Sequence, residues 1–197
     1  MDEQKCLFCE IVNNTISSLK IYENESVFGV LNIKPSTKGQ VLIITKKHHS
    51  FLNSMSEKES NDLMNAIKSI STVISQVFQC SGINVIYSMG GSAGQRIPHV
   101  SVDLIPRYAN DSVVIEFPES EINEQELYEN QRLIIKAFQD STIDLLVAIK
   151  EGKIEVSDEV REQALKTLER INSEKSPRTE KTNKIDIMAL EDELGKL

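Results

Sequence analysis

The chain has 197 residues, of which 40% are hydrophobic, so it can form one large domain or one domain with an extension. Its formal charge of −8 argues against a broad nucleic-acid-binding or membrane-binding surface, which would need a basic field. Because the sequence shows neither a secretory signal pattern nor an apolar run of membrane-spanning length, a cytoplasmic protein is predicted.

A Cys-x-x-Cys pair stands near the start of the sequence. Cys6 and Cys9 are two of three cysteines, and in a reducing compartment such a pair indicates metal or redox chemistry more than a structural disulfide. A redox pair usually follows a strand deep inside an α/β unit, and here only five residues precede Cys6. The redox interpretation is therefore disfavoured, whereas a metal site and two incidental thiols remain open.

Three short strands are predicted in the first part of the chain. The runs 20–22 and 26–31 are separated by turn residues, and the run 40–45 is largely apolar and rich in β-branched residues. The last run leads into two adjacent histidines, His48 and His49. His48 is a candidate ligand at the end of a strand, while His49 has no predicted role.

Helical periodicity dominates two later parts of the chain. The capping box Ser56-x-x-Glu59 begins a long helix, because apolar residues then recur at helical spacing. Strands are expected over 83–89 and 113–117, and further helices over 123–150 and 157–172. The expected organisation is a first domain at 1–118, a helical extension at 119–173, and a mobile linker with a short terminal helix at 174–197.

A strand with strictly alternating side chains follows the Gly-rich turn at Gly90. His99, Ser101 and Asp103 fall on one face, and apolar residues fall on the other, because strand side chains have a period of two. The apolar face can pack on a core, and the polar face can line a pocket where backbone N–H groups bind a phosphate. A strand whose polar face is merely hydrated is the alternative.

Two cysteines and two histidines could form one metal site. Cys6, Cys9, His48 and His99 make a Cys₂His₂ set, which suits tetrahedral zinc. Spacing alone is weak support, because the two histidines do not lie on one helix. A buried, hydrogen-bonded His99 beside a solvent-exposed pair at 48–49 is the alternative.

Four separated segments resemble the histidine triad (HIT) superfamily of nucleotide hydrolases and transferases. They agree in order and spacing over roughly residues 5–110, and they are Cys6-x-x-Cys9, Asn32-x-x-Pro35, Gly39 to His48, and Ala93 to Arg107. The resemblance implies an α+β fold, with an antiparallel sheet and a long helix, and a symmetric homodimer. The C-terminal helices have no counterpart in small family members, so they are candidates for binding a protein partner.

The resemblance also implies which residues bind metal and ligand. It assigns a structural zinc ion to Cys6, Cys9, His48 and His99, a shell that leaves no open position for water. It further implies a purine-nucleotide site, with a ribose contact at Asn32. The remaining expected nucleotide contacts are Phe8, Phe28, Gly94, Gln95 and Ser101.

The family's catalytic positions are occupied by other residues here. The motif His-x-His-x-His reads His99-x-Ser101-x-Asp103, and Gln40 stands where a further histidine often lies. The family's middle histidine attacks the nucleotide α-phosphate, whereas a serine needs a general base within reach. Asp103 is about 7 Å along the strand from Ser101 and is a weak base.

Loss of the family's chemistry is therefore predicted, in a protein that retains nucleotide binding. One alternative is an active but atypical nucleotide hydrolase or transferase that uses Ser101, Asp103 or an added metal, with phosphoramidates or dinucleoside polyphosphates as substrates. A second alternative is a dimeric interaction scaffold without a ligand.

Overall fold

The computed structural model describes residues 6–174. Contacts between residues divide the chain into two compact units, with the division after Phe117. The linker and terminal helix predicted beyond residue 174 lie outside the described residues. Among the described helices, none has a stretch long and apolar enough to cross a bilayer.

The first unit contains a five-stranded sheet in which every neighbouring pair is antiparallel. The strand order is β1-β2-β3-β5-β4, so β5 lies between the third and fourth strands of the sequence. This sheet and its helices confirm the predicted α+β class. The strands are β1 (Lys20–Glu23), β2 (Val27–Leu31), β3 (Val41–Thr45), β4 (Gly82–Ile86) and β5 (Ser101–Arg107).

Four α-helices accompany the sheet in the described residues. Helix α1 spans Leu7–Val12, α2 spans Glu57–Phe78 and α3 spans Glu124–Lys150; a fourth, α4, spans Asp158–Glu174. The first two belong to the first unit, and the last two belong to the second unit.

Helix α2 packs on one face of the sheet. It begins at the predicted capping box, in which Glu59 N–H donates to the Ser56 side chain and Ser56 N–H donates to the Glu59 carboxylate. The approach is close at Gly29, where a Cβ would lie 3.0 Å from Ile70 Cδ1. The buried core on this face comprises Val27, Val41, Ile43, Leu63, Ala66, Ile70, Ile74, Val100, Val102 and Leu104.

Helix α1 packs on the other face of the sheet. Because side chains alternate along β5, Val102 and Leu104 point toward α2, while Ser101 and Asp103 lie on the face of α1. Their cross-strand partners on β3 are Ile44 and Leu42. The buried cluster on this face comprises Cys6, Phe8, Cys9, Phe28, Val30 and Ile44.

The strand predicted over 113–117 is not formed. Val114 is 72% exposed and Phe117 is 86% exposed. The carbonyl of Val113 accepts a hydrogen bond from the Arg107 side chain at 2.6 Å. The β-branched composition of this segment therefore gives it strand propensity without a neighbouring strand to pair with.

The second unit contains the helix pair α3 and α4. Asn123 caps α3 by accepting a hydrogen bond from Glu126 N–H at 2.9 Å. Both helices are predicted from the sequence to within about two residues of their ends. Their shared buried core consists of Leu146, Ile149, Ala164 and Leu168.

Candidate metal centre and adjoining strand site

The four predicted metal ligands come together in the first unit. Their ligand atoms all lie within 4.8 Å of one another. Cys6 Sγ is 3.4 Å from His99 Nδ1, and Cys9 Sγ is 3.3 Å from His48 Nδ1 and 3.6 Å from His99 Nδ1. The cluster therefore joins residues that are far apart in the sequence.

Secondary structure explains why these side chains meet. Cys6 immediately precedes α1 and Cys9 lies about one turn later, so both sulfurs face the same side. Strands β3 and β5 are antiparallel neighbours, with Ile44 opposite Ser101. The segment after β3, which carries His48, and the segment before β5, which carries His99, therefore meet at one end of the sheet.

The donor set and its spacing fit a tetrahedral zinc ion. With Zn–S bonds near 2.3 Å and Zn–N bonds near 2.0–2.1 Å, neighbouring donors are about 3.3–3.8 Å apart. A sulfur–nitrogen pair in such a site is about 3.6 Å apart. The observed sulfur–nitrogen distances of 3.3, 3.4 and 3.6 Å are within about 0.3 Å of that value. Two thiol and two imidazole donors are also a common zinc ligand set.

His99 is oriented by a hydrogen bond on the side of the ring away from the cysteines. The residue is 1% exposed, and its Nε2 donates to the Thr45 carbonyl at 2.8 Å. A carbonyl can only accept, so the proton is on Nε2 and the lone pair of Nδ1 faces the sulfurs. Burial lowers the pKa of His99, which favours the neutral ring that a metal requires.

Thr45 is a supporting residue that the sequence did not identify. Its hydroxyl also lies 3.0 Å from His99 Nε2. The contact is made mainly by a backbone carbonyl, and carbonyls leave no signature in a sequence. Only its position at the end of β3, three residues before His48, could have indicated this role.

Asp103 is held by Gln40 on the polar side of β5. Gln40 Nε2 donates to Asp103 Oδ1 at 2.7 Å, while Gln40 Oε1 accepts from Ser36 N–H at 2.6 Å. Burial raises the pKa of Asp103, and the hydrogen bond from Gln40 opposes that shift. Ser101 is half-buried on the same side of the strand, outside the core beneath α2.

The polar residues predicted to contact a nucleotide also hold their own loops. Asn32 Oδ1 accepts from Lys34 N–H at 2.9 Å, which closes a turn. Gln95 accepts from Gly90 N–H at 2.8 Å and donates to the Ser50 carbonyl at 2.9 Å. Their roles toward a ligand stay predictions.

Gly94 and the two phenylalanines differ in their surroundings. Gly94 has φ +91°, and a Cβ there would meet no atom within 4 Å, so the turn is open at this point. Phe8 and Phe28 are 9% and 1% exposed in the cluster beneath α1, and the Phe8 ring meets His99 edge-on at 5.7 Å. Packing thus explains both phenylalanines, and a base-pocket role stays a prediction.

His49 supports the start of α2. It is 4% exposed, its Nε2 lies 3.0 Å from Glu59 Oε1, and its Nδ1 lies 3.2 Å from Ser54 Oγ. Two hydrogen bonds lower the pKa of Glu59 to about 2: the larger contribution comes from His49 and the next from Ser56 N–H. The alternative of a solvent-exposed pair at 48–49 is therefore wrong, because His49 is buried and His48 is half-buried.

Comparisons with known proteins identify the family. A HIT-domain profile matches residues 13–110. An uncharacterised HIT-like protein of Methanocaldococcus jannaschii is 34% identical over 114 residues, which cover 58% of this chain and 88% of that protein. The chain therefore belongs to the HIT family, as the resemblance predicted.

One relative with a named activity is an adenosine 5′-monophosphoramidase of Candida albicans. It is 30% identical over 106 residues, which cover 52% of this chain and 70% of that enzyme.

Solved structures agree with the fold. A HIT-family protein of Bacillus subtilis superposes with a TM-score of 0.63 at 29% identity, covering 67% of this chain and 96% of that one. A zinc-bound histidine triad family protein of Mycobacterium smegmatis gives a TM-score of 0.53 at 25% identity, covering 64% and 89%.

Proposed function

We propose that this chain binds a purine nucleotide beside a structural zinc ion and has lost the family's histidine-nucleophile chemistry. The observation that carries the proposal is the contrast between two adjacent sites. All four residues of the Cys₂His₂ cluster are present, and their ligand atoms lie within 4.8 Å of one another. On the strand that follows, the positions of the nucleophile and the third histidine hold Ser101 and Asp103.

The zinc ion in this proposal has a structural role. Cys6, Cys9, His48 and His99 would occupy all four tetrahedral positions, which leaves no open position for a reactive water. When bound, the ion supplies coordination bonds that tie α1 to the adjacent ends of β3 and β5. The zinc-bound protein of Mycobacterium smegmatis supports this assignment.

The arrangement on β5 supports the loss of nucleotidyl transfer. Attack by the Ser101 hydroxyl needs a base that takes its proton, and Asp103 lies two residues further along, at about 7 Å. The Asp103 carboxylate is instead held by Gln40 at 2.7 Å. When ionised, that carboxylate also places negative charge next to a phosphate on which negative charge would increase during attack, and this repulsion opposes the reaction.

Retained nucleotide binding rests on the family and on one relative. The Candida albicans relative is named for action on an adenosine monophosphate derivative. The proposed contacts are Asn32 for the ribose, with Phe8, Phe28, Gly94, Gln95 and Ser101 around the base and phosphate. A symmetric homodimer, a cytoplasmic location and a protein partner for the C-terminal helices belong to the same proposal.

Two measurements on the full chain test this proposal. Calorimetry with AMP should show binding that Asn32→Ala weakens about tenfold, since one or two hydrogen bonds are lost. Asn65→Ala, on the exposed side of α2, is the matched control and should leave affinity unchanged. An assay with adenosine phosphoramidate and dinucleoside polyphosphates should show no AMP release.

The outcomes separate the alternatives. AMP release that disappears in Ser101→Ala would establish the atypical hydrolase or transferase instead. The absence of both AMP binding and AMP release would favour the interaction scaffold.

A further inference from the structure

Helix α3 exposes an apolar stripe along one side. Its four side chains recur at intervals of seven, four and seven residues, which places them on a single helix face. The stripe lies beside the face that contacts α4 through Leu146 and Ile149. Its members are Leu127, Ile134, Phe138 and Leu145, which are 52%, 57%, 53% and 39% exposed.

The helix pair leaves this stripe uncovered. Its buried core contains only two residues from each helix, and both residues of α3 lie in its last two turns. At 1.5 Å per residue, α3 is about 40 Å long and α4 about 25 Å long. A row of large apolar side chains on one helix face indicates a surface that another segment covers.

We propose that segment 185–197 of the same chain docks on the α3 stripe as a third helix. Its apolar residues Ile187, Leu190, Leu194 and Leu197 recur at intervals of three, four and three, which gives one apolar face when helical. That face would be about 15 Å long, and the part of the stripe from Leu127 to Phe138 is about 17 Å long. The lengths therefore match.

The connection between the two segments has a suitable length and starting point. We infer from the shared core and the seven-residue connection 151–157 that α3 and α4 form an antiparallel pair, in which α4 ends at Glu174 toward the N-terminal half of α3. The ten residues 175–184 can span up to about 33 Å, enough for the next segment to run back along the stripe. Tethering gives an effective concentration of about millimolar, which favours the chain's own segment over a second copy.

Charge complementarity supports the same arrangement. Residues 119–129, at the start of α3 and just before it, contain five glutamates and no basic residue. The connecting residues 175–184 contain Lys175, Arg178, Lys181 and Lys184 against the single acidic Glu180. The basic connection would therefore cross the acidic end of α3 before the apolar segment packs on the stripe.

Hydrogen–deuterium exchange of the full chain, followed by mass spectrometry, tests the proposal. Peptides covering residues 124–138 should be protected in the wild type. The double change Leu190→Glu with Leu194→Glu should speed their exchange about tenfold or more, because the third helix is lost. Met188→Glu makes the same kind of change on the opposite face of the segment and should leave exchange unaltered.

The reverse experiment changes the other surface. Ile134→Glu should speed exchange within 185–197. This variant leaves the sequence of that segment unchanged, so it tests the contact even if the double variant perturbs the segment itself. Unprotected 124–138 peptides in the wild type, or equal exchange in the double variant and the wild type, would overturn the proposal. Protection that declines on dilution would overturn it too, in favour of a second copy on the stripe.

Discussion

The two compact units of this chain differ in how their apolar side chains are used. In the first unit, α2 and α1 pack on opposite faces of the sheet, and ten buried residues form the core between the sheet and α2 alone. In the second unit, α3 and α4 share four buried residues, while the apolar stripe of α3 is exposed.

The difference shows that helical periodicity and burial are separate properties. Both α2 and α3 carry apolar residues at helical spacing, but only the unit that contains α2 has a sheet among its described elements. In the first unit, residues far apart in sequence are also joined through the Cys₂His₂ cluster and the Gln40–Asp103 hydrogen bond. Substitutions should therefore have unequal effects in the two units.

The largest expected difference concerns apolar side chains of matched size. Ile70→Ala removes a fully packed side chain from beneath the sheet and should lower the free energy of unfolding by about 2–5 kcal/mol. Leu133→Ala, at a position on α3 that is 67% exposed, should change it by less than about 0.5 kcal/mol. Urea unfolding of both variants measures this, and similar losses would show that Leu133 is already packed.

A second, smaller effect concerns the start of α2. Glu59→Gln should cost about 1–3 kcal/mol, because the carboxylate bonds with His49 and Ser56 are weakened. The folded pKa of about 2 lies below the ordinary 4.5, so this stabilisation is complete above about pH 4.5 and is lost as pH falls toward 2. Glu57→Gln, an exposed change in the same helical turn, should leave that pH dependence intact.

The smallest effect is expected at Asp103 and has the opposite sign. Burial raises its folded pKa above the ordinary 3.8, so the ionised carboxylate is unfavourable in the folded state. Its penalty is absent well below pH 3.8 and grows as pH rises through the folded pKa. Asp103→Asn should therefore stabilise the neutral-pH protein, by less than about 1 kcal/mol, and should change nothing at low pH.

Asp140→Asn on the exposed part of α3 serves as the comparison for Asp103. Thermal unfolding at several pH values measures both variants. A stabilisation by Asp103→Asn that persists at low pH would show that its cause is not ionisation.

The sequence predicts the parts of this molecule that depend on local pattern or on residue chemistry. The capping box at Ser56, helices α3 and α4, and the clustering of the four predicted ligand residues are confirmed, because helical period and Cys/His chemistry are visible in residue types. The nucleotide contacts stay predictions, as does the loss of catalysis expected from a serine at the nucleophile position.

Features that depend on pairing were not predictable from the sequence. The support of His99 by a Thr45 carbonyl and the hydrogen bond from Gln40 to Asp103 follow from the register of β3 against β5. The buried position of His49 depends on where α2 begins relative to β3. The strand expected at 113–117 was wrong for the same reason, because propensity does not specify a partner strand.

Native mass spectrometry of the full chain measures directly whether the cysteine and histidine cluster binds zinc. After exposure to equimolar zinc, the wild type and Cys80→Ser should each retain one ion per chain, since Cys80 lies outside the cluster. Cys9→Ser should retain almost none, because a tetrahedral site loses one of its four ligands. Equal zinc content in all three proteins, or a wild type without zinc, would show that this cluster is not a zinc site.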